Sequence, residues 1–139
     1  MALIDDIRAR LQSSNTAVSI RSQRPTIWLL NGYPTNIRTA NRKAGDKYWF
    51  DVTPALYQRN QVDFLLYGCG SAQTLYIFPR ATFEELIEGA SLGGQKQVPN
   101  FTIFSNNNVF EPAGHTERRR SIAGFLNALY LLQPRRSAA

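Results

Sequence analysis

The sequence predicts an α+β fold: a mixed or antiparallel sheet of about five to six strands, flanked by an N-terminal, a middle and a C-terminal helix. Short apolar and aromatic runs bounded by proline, glycine and asparagine indicate strands, and three segments with apolar residues at helical spacing indicate helices. Of the 139 residues, 43% are hydrophobic, 12% aromatic and 19% charged, which is typical of a globular protein with a sheet in its core.

The first helix is predicted over residues 2–13. Leu3, Ile7 and Leu11 recur at helical spacing and would share one buried face. Acidic residues near the start of this segment and arginines near its end suit the helix dipole. Apolar runs after the helix predict strands at 17–22, 26–30, 47–52, 62–67 and 74–78.

The last two of these strands should form an antiparallel hairpin, because only a short glycine-containing turn, 68–71, separates them. A middle helix is predicted from Thr82, with Glu85 completing a capping box. A glycine-rich loop, a strand at 101–104, a return strand at 109–110 and a C-terminal helix at 116–132 follow.

We expect one domain over residues 1–133 and a disordered basic tail over 134–139. Cys69 is the only cysteine, so no intramolecular disulfide can form, which favours a reducing compartment and a cytoplasmic location. No stretch approaches the roughly 18 apolar residues of a membrane-spanning helix, so we expect no membrane partner.

The net charge of +6 and the pI of about 9.9 favour a polyanionic partner. Nucleic acid is the first candidate, and DNA is favoured over RNA. Anionic membrane surfaces and acidic proteins follow, and the remaining alternative is that the charge has no polyanionic partner. We therefore ask where along the chain the excess charge is concentrated.

One basic cluster contains Arg38, Arg42, Lys43 and Lys47, with Gly45 at a predicted turn. The pattern predicts a strand–turn–strand finger whose cations contact phosphates. The alternative is a solvated hairpin whose charges keep a sheet edge from aggregating.

A second cluster, Arg118, Arg119 and Arg120, falls in the first turn of the predicted C-terminal helix. Cations there oppose the helix dipole at a cost of roughly 0.3 to 1 kcal/mol each. A bound phosphate would turn this cost into a gain, because it accepts hydrogen bonds from the free N–H groups of the helix start and from the guanidinium groups. The alternative is a solvated charge run that Glu117 partly offsets.

The chain contains no complete catalytic or cofactor motif. His115, the only histidine, is expected to be a solvated loop residue, and Cys69 a semi-buried bystander. One cysteine and one histidine cannot supply a zinc site, so we predict no such metal centre. Gln95 stands where a phosphate-binding glycine loop needs lysine. We therefore predict no cofactor.

Three runs follow one another in the sequence: KYWFDVTP, VDFLLYGCG and TLYIFPRATFEELI. In pattern and order they resemble the second half of PD-(D/E)XK (restriction-endonuclease-like) domains, and the similarity extends over residues 2–90. The resemblance implies a DNA-binding shape. It departs from the family pattern where Thr53 replaces the lysine of the acid-x-lysine triplet and Thr35 replaces the first acid. Asp51 remains, and Asp63 could supply a second carboxylate for magnesium. The resemblance thus implies lost cleavage; the alternative is an unrelated α+β fold.

Three hypotheses stay open. The first is a non-catalytic nucleic-acid-binding domain, from a mobile-element or restriction context. The second is a homo-oligomeric interaction module, such as a homodimer, or a small-ligand binder. The third is a magnesium-dependent nuclease using Asp51 and Asp63. The observation that would separate them best is whether the two basic clusters lie on one face.

Overall fold

A computed structural model describes residues 2–13, 18–40 and 46–133, and over these residues the fold is α+β, as the sequence predicts. The helices are α1 Leu3–Leu11, α2 Ala55–Gln58 and α3 Arg80–Ile87. The strands are β1 Ile20–Arg24, β2 Ile27–Leu30, β3 Tyr33–Ala40, β4 Lys47–Asp51, β5 Phe64–Cys69, β6 Leu75–Pro79, β7 Leu92–Gly93, β8 Val98–Phe104, β9 Val109–Pro112 and β10 Arg120–Ser121.

The first sheet is mixed and has the strand order β1-β2-β3-β5-β6. The strands β1, β2 and β3 form an antiparallel meander, and β5 then lies parallel to β3. The predicted hairpin of β5 and β6 is confirmed, with Leu66 opposite Ile77. Because β3 and β5 are parallel, the chain between them must cross over, and it does so through β4 and α2.

The second sheet is antiparallel and has the order β10-β9-β8-β4, with β7 pairing with β8 at its side. The predicted return pairing after the turn near residue 107 is confirmed, because Phe104 of β8 lies opposite Val109 of β9. The long strand β8 is therefore paired with β4 on one side and β9 on the other.

An aromatic core joins the two sheets. Tyr67 of the first sheet lies 4.8 Å from Phe50 and 5.1 Å from Phe101 of the second, measured between ring centroids. Phe101 also stacks on Phe110 at 4.5 Å, and Phe83 of α3 packs edge-on against both. These rings are fully buried, so the contact between the sheets is a dry aromatic layer.

The opposite face of the first sheet packs against α1 and the C-terminal segment. Ile7 and Leu11 are fully buried there with Trp28, Leu66 and Leu132. Neighbouring residues of β5 and β6 point to opposite faces, so the first sheet is apolar on both sides. The predicted α1 and its buried face are confirmed.

The predicted C-terminal helix is wrong. Residues 116–132 form the short strand β10 and 3-10 turns at Thr116–Arg118, Ala123–Phe125 and Leu129–Leu132. Ile122 is buried between the sheets and Leu132 against α1, so these two apolar side chains do not share one helical face. Asn127 has a left-handed backbone (φ 52°) and donates its N–H to the carbonyl of Leu75, which ends any regular helix there.

The predicted finger between residues 38 and 47 is also wrong. Its first arm, β3, pairs with β2 and β5 in the first sheet, whereas its second arm, β4, pairs with β8 in the second. Residues 41–45, with Arg42 and Lys43, and the predicted tail 134–139 lie outside the described residues. A smaller correction concerns α3, which begins at Arg80 directly after Pro79, so Thr82 lies inside the helix and does not cap it.

We predict that Phe101→Ala lowers the free energy of unfolding by about 3–5 kcal/mol, because it opens a cavity in the aromatic layer. Urea unfolding followed by tryptophan fluorescence measures the loss. Leu92→Ala is the matched control, since Leu92 is 59% exposed and should change stability by less than about 0.5 kcal/mol. Equal losses in the two variants would contradict this account of the core.

Candidate nucleic-acid interface

Basic residues from the two predicted clusters meet at one aromatic ring. Lys47 of β4 lies directly opposite Phe104 of β8, with its Nζ atom 5.7 Å from the ring centroid. The guanidinium carbon of Arg119 lies 4.8 Å from the same centroid. Both are within the range of cation–π attraction. The two clusters, far apart in the sequence, therefore contribute to one surface.

Strand alternation places Trp49 on this same surface. Tyr48 and Phe50 point into the core, whereas Trp49, two residues after Lys47, is 49% exposed. Its ring nitrogen Nε1 donates a hydrogen bond to Oδ1 of Asn100 at 3.1 Å, which fixes the indole while leaving part of it in solvent. We call the surface of Lys47, Trp49, Phe104 and Arg119 the Phe104 face.

The three arginines of the second cluster point to different places. Arg119 donates from Nε to Oε1 of Glu111 at 2.5 Å and is half exposed. Arg118 donates to the carbonyl of Glu88 at the end of α3, and Arg120 is exposed on β10 at the edge of the second sheet. Since Thr116–Arg118 is a single 3-10 turn, the helix terminus that was expected to support a phosphate contact is not formed, and the contact itself stays a prediction.

Arg38 does not belong to the Phe104 face. Its Nη2 lies 3.1 Å from Oδ1 of Asp51, and its Nη1 donates to the Asp51 carbonyl at 3.2 Å. The guanidinium thus spans from β3 in the first sheet to the free edge of β4 in the second. Of the cations predicted to bind nucleic acid, Lys47 and Arg119 come together, Arg120 is nearby in sequence, and Arg38 and Arg118 are engaged elsewhere.

The two carboxylates predicted for a nuclease line different cavities. Asp51 is paired with Arg38, and Asp63, at the start of β5, lines a separate depression with Tyr33 and Arg80. The backbone N–H of Asp63 donates to the carbonyl of Pro34. Over residues 2–13, 18–40 and 46–133, no three His, Cys, Asp or Glu side chains form a group that could hold a metal ion.

Cys69 and His115 occupy unrelated places. Cys69 is buried in the core between the sheets, and burial raises the pKa of its thiol to about 12. His115 is a loop residue whose Nδ1 lies 3.1 Å from Oε1 of Glu117. A buried, protonated thiol is a poor nucleophile, so the arrangement does not provide a cysteine–base pair.

Phe104 is one residue of this surface that the sequence does not single out. It was predicted as part of a strand, but with no role. Phe101 and Ile103 point inward, so alternation along β8 turns Phe104 outward. The period of two in that strand was the available signal, and the meeting of Phe104 with Arg119 required the tertiary structure.

No known protein family, curated protein or solved structure matches this chain. Among the described residues, no helix has the length and apolar character needed to cross a membrane.

We expect Cys69 to resist Ellman's reagent in the folded protein at pH 8 and to react at once in 6 M urea. Burial blocks access, and with a pKa of about 12 only about one thiol in ten thousand is ionised at pH 8. Because Cys69 is the only cysteine, the absorbance reports a single site. Rapid labelling of the native protein would show that the thiol is accessible.

Proposed function

We propose that this protein is a non-enzymatic nucleic-acid-binding domain that holds its ligand on the Phe104 face. The observation that carries the proposal is the meeting of Lys47 and Arg119 over one aromatic ring, with the exposed Trp49 on the same surface. A net charge of +6 supports attraction of a polyanion to it.

The chemistry of the surface suits both parts of a nucleotide. Lys47 and Arg119 can neutralise phosphates and release bound counterions, which is the main source of sequence-independent affinity. Trp49 presents a partly exposed ring, and base stacking on such rings contributes about 1–3 kcal/mol per base. Because stacking and charge neutralisation carry little sequence information, we expect weak base preference.

The placement of the carboxylates favours binding without cleavage. Asp51 is held by Arg38, and Asp63 lines another cavity, so the pair needed for magnesium is not brought together by the described residues. The resemblance to PD-(D/E)XK domains that have lost their lysine implies the same class of ligand, and DNA is therefore the first nucleic acid to test.

We predict that Lys47→Gln and Arg119→Gln each weaken DNA binding. Each should also reduce the slope of log affinity against log salt by about 0.7 to 0.9, the value for one lost phosphate contact. Fluorescence anisotropy with a labelled oligonucleotide at several salt concentrations measures both effects. Arg21→Gln is the matched control, because it removes one exposed cation from β1 in the other sheet. A salt slope unchanged in both test variants would overturn the proposed surface.

Trp49 supplies a second, spectroscopic prediction. Trp28 is buried and Trp49 is half exposed, so nucleic acid that stacks on the surface should quench Trp49 emission and leave Trp28 emission unchanged. We expect Trp49→Leu to abolish the quenching and to weaken binding by about 1–3 kcal/mol. Quenching that persists in Trp49→Leu would place the ligand elsewhere.

A further inference from the structure

A polar cleft lies between the two sheets, beside the edge of β4. It has a volume of about 490 Å³. On one side it is lined by residues from β1 to β3 of the first sheet, and on the other by β4, α2 and the loop that precedes β8. The polar residues that carry the argument are Arg24, Asn36, Arg38, Asp51 and Lys96. We call this space the β3–β4 cleft.

Asn36, which lines the cleft, carries an unpaired and buried acceptor. The residue is only 3% exposed, and its Nδ2 donates to the carbonyl of Thr26 at 3.1 Å. Its Oδ1 accepts no hydrogen bond from the described residues. A buried acceptor left in this state lowers the stability of the fold. A bound molecule with an N–H or O–H group would remove that cost.

A buried donor lies close to the ion pair of the cleft. The hydroxyl of Tyr67 is fully buried and has no hydrogen-bond partner within the described residues. Tyr67 lies opposite Arg38 in the register of β3 and β5, so the two side chains lie on the same face of the sheet. Burial raises the pKa of the phenol, so it stays protonated. Asn36, Arg38 and Tyr67 therefore share one face of the first sheet, and two of them carry an unsatisfied polar atom.

The charge of the cleft favours an anion. Among the described residues of the lining, Arg24, Arg38 and Lys96 are cations and Asp51 is the one carboxylate. Arg38 uses two of its five N–H donors on Asp51, which leaves others for a second oxygen ligand. Arginine and lysine together are the residues that commonly hold phosphate.

We propose that the β3–β4 cleft binds a phosphate monoester that also carries a hydroxyl or amino group, of the size of one nucleotide. The phosphate lies among Arg24, Arg38 and Lys96, and the hydroxyl or amino group donates to Oδ1 of Asn36. A volume of about 490 Å³ is within the usual range for small-molecule sites. The choice of a nucleotide, free or at the phosphorylated end of a strand, rests on the proposed function.

The cleft and the Phe104 face share strand β4. Asp51 in the cleft and Trp49 on the face are two residues apart, about 7 Å along the strand. A nucleic-acid strand that lies across the Phe104 face can therefore end with its terminal phosphate in the cleft.

The first experiment is isothermal titration of the whole protein with a nucleoside 5′-monophosphate, the matching nucleoside and inorganic phosphate. We expect the monophosphate to bind more tightly than either part. Arg24→Gln and Lys96→Gln should each weaken its binding at least fivefold. Arg21→Gln, on the same strand as Arg24 but outside the cleft, should leave it unchanged. Binding of the monophosphate that is the same in all three variants would overturn the proposal.

A second variant tests the role of Asn36. Asn36→Leu removes the unpaired acceptor while keeping a similar volume, and it should abolish the preference for the monophosphate over inorganic phosphate. A thermal melt checks that the variant is folded. If Asn36→Leu does not fold, Arg24→Gln and Lys96→Gln, both at exposed positions, still test whether the cleft binds the monophosphate. A preference retained in folded Asn36→Leu would overturn the assigned contact.

Oligonucleotides with and without a terminal phosphate distinguish the source of the ligand. Tighter binding of the phosphorylated strand, lost in Arg24→Gln, identifies a strand end; equal binding of the two strands, with the monophosphate still bound, identifies a free nucleotide. Oligonucleotide binding without monophosphate binding would overturn the cleft and leave the proposed function standing. Monophosphate binding without oligonucleotide binding would support the cleft and overturn the proposed function.

Discussion

The aromatic layer between the two sheets is the constraint on which the rest of the structure depends. Tyr67, Phe50 and Phe101 contact one another across it, and α3 adds Phe83 to the same cluster. Aromatic rings bury large areas and prefer edge-on or offset contacts, so the layer sets the distance and orientation of the sheets. Because the inner face of the second sheet packs in this layer, strand alternation turns every second side chain of the sheet outward. Lys47, Trp49 and Phe104 thus occupy one surface as a consequence of how the core is packed.

A second, polar contact closes the space between the sheets at one edge. Arg38 satisfies both the carboxylate and the backbone carbonyl of Asp51, so it ties β3 to the unpaired side of β4. Edge carbonyls need such partners, because unpaired strand edges are prone to pair with other chains. The β3–β4 cleft is lined by both residues of this contact. Its walls carry Asn36, whose Oδ1 acceptor is unsatisfied among the described residues, and more cations than carboxylates.

The location of the charged residues says more about the partner than the net charge does. A net charge of +6 alone agrees equally with solubility and with a polyanionic partner. In the folded chain, Arg38 and Arg118 bond to other parts of the protein, whereas Lys47 and Arg119, which is also paired with Glu111, lie together over one ring. Cations held beside exposed aromatic surface match the alternation of phosphate and base in a nucleic acid. This local match supports the binding proposal more directly than the overall basicity does.

The sequence by itself determined the α+β class, α1, and the hairpin of β5 and β6. These features follow from periodicity within a few residues, which local side-chain geometry controls. Only the tertiary structure decided that β3 and β4 belong to different sheets and that residues 116–132 form short turns and a strand. The tertiary structure alone also places Arg119 and Lys47 at the same ring, that of Phe104. Backbone hydrogen bonds between distant segments determine these features. Asn127 bonds to β6, β4 pairs with β8, and β3 pairs with β5. Such partners compete across the whole chain, so no local pattern specifies them.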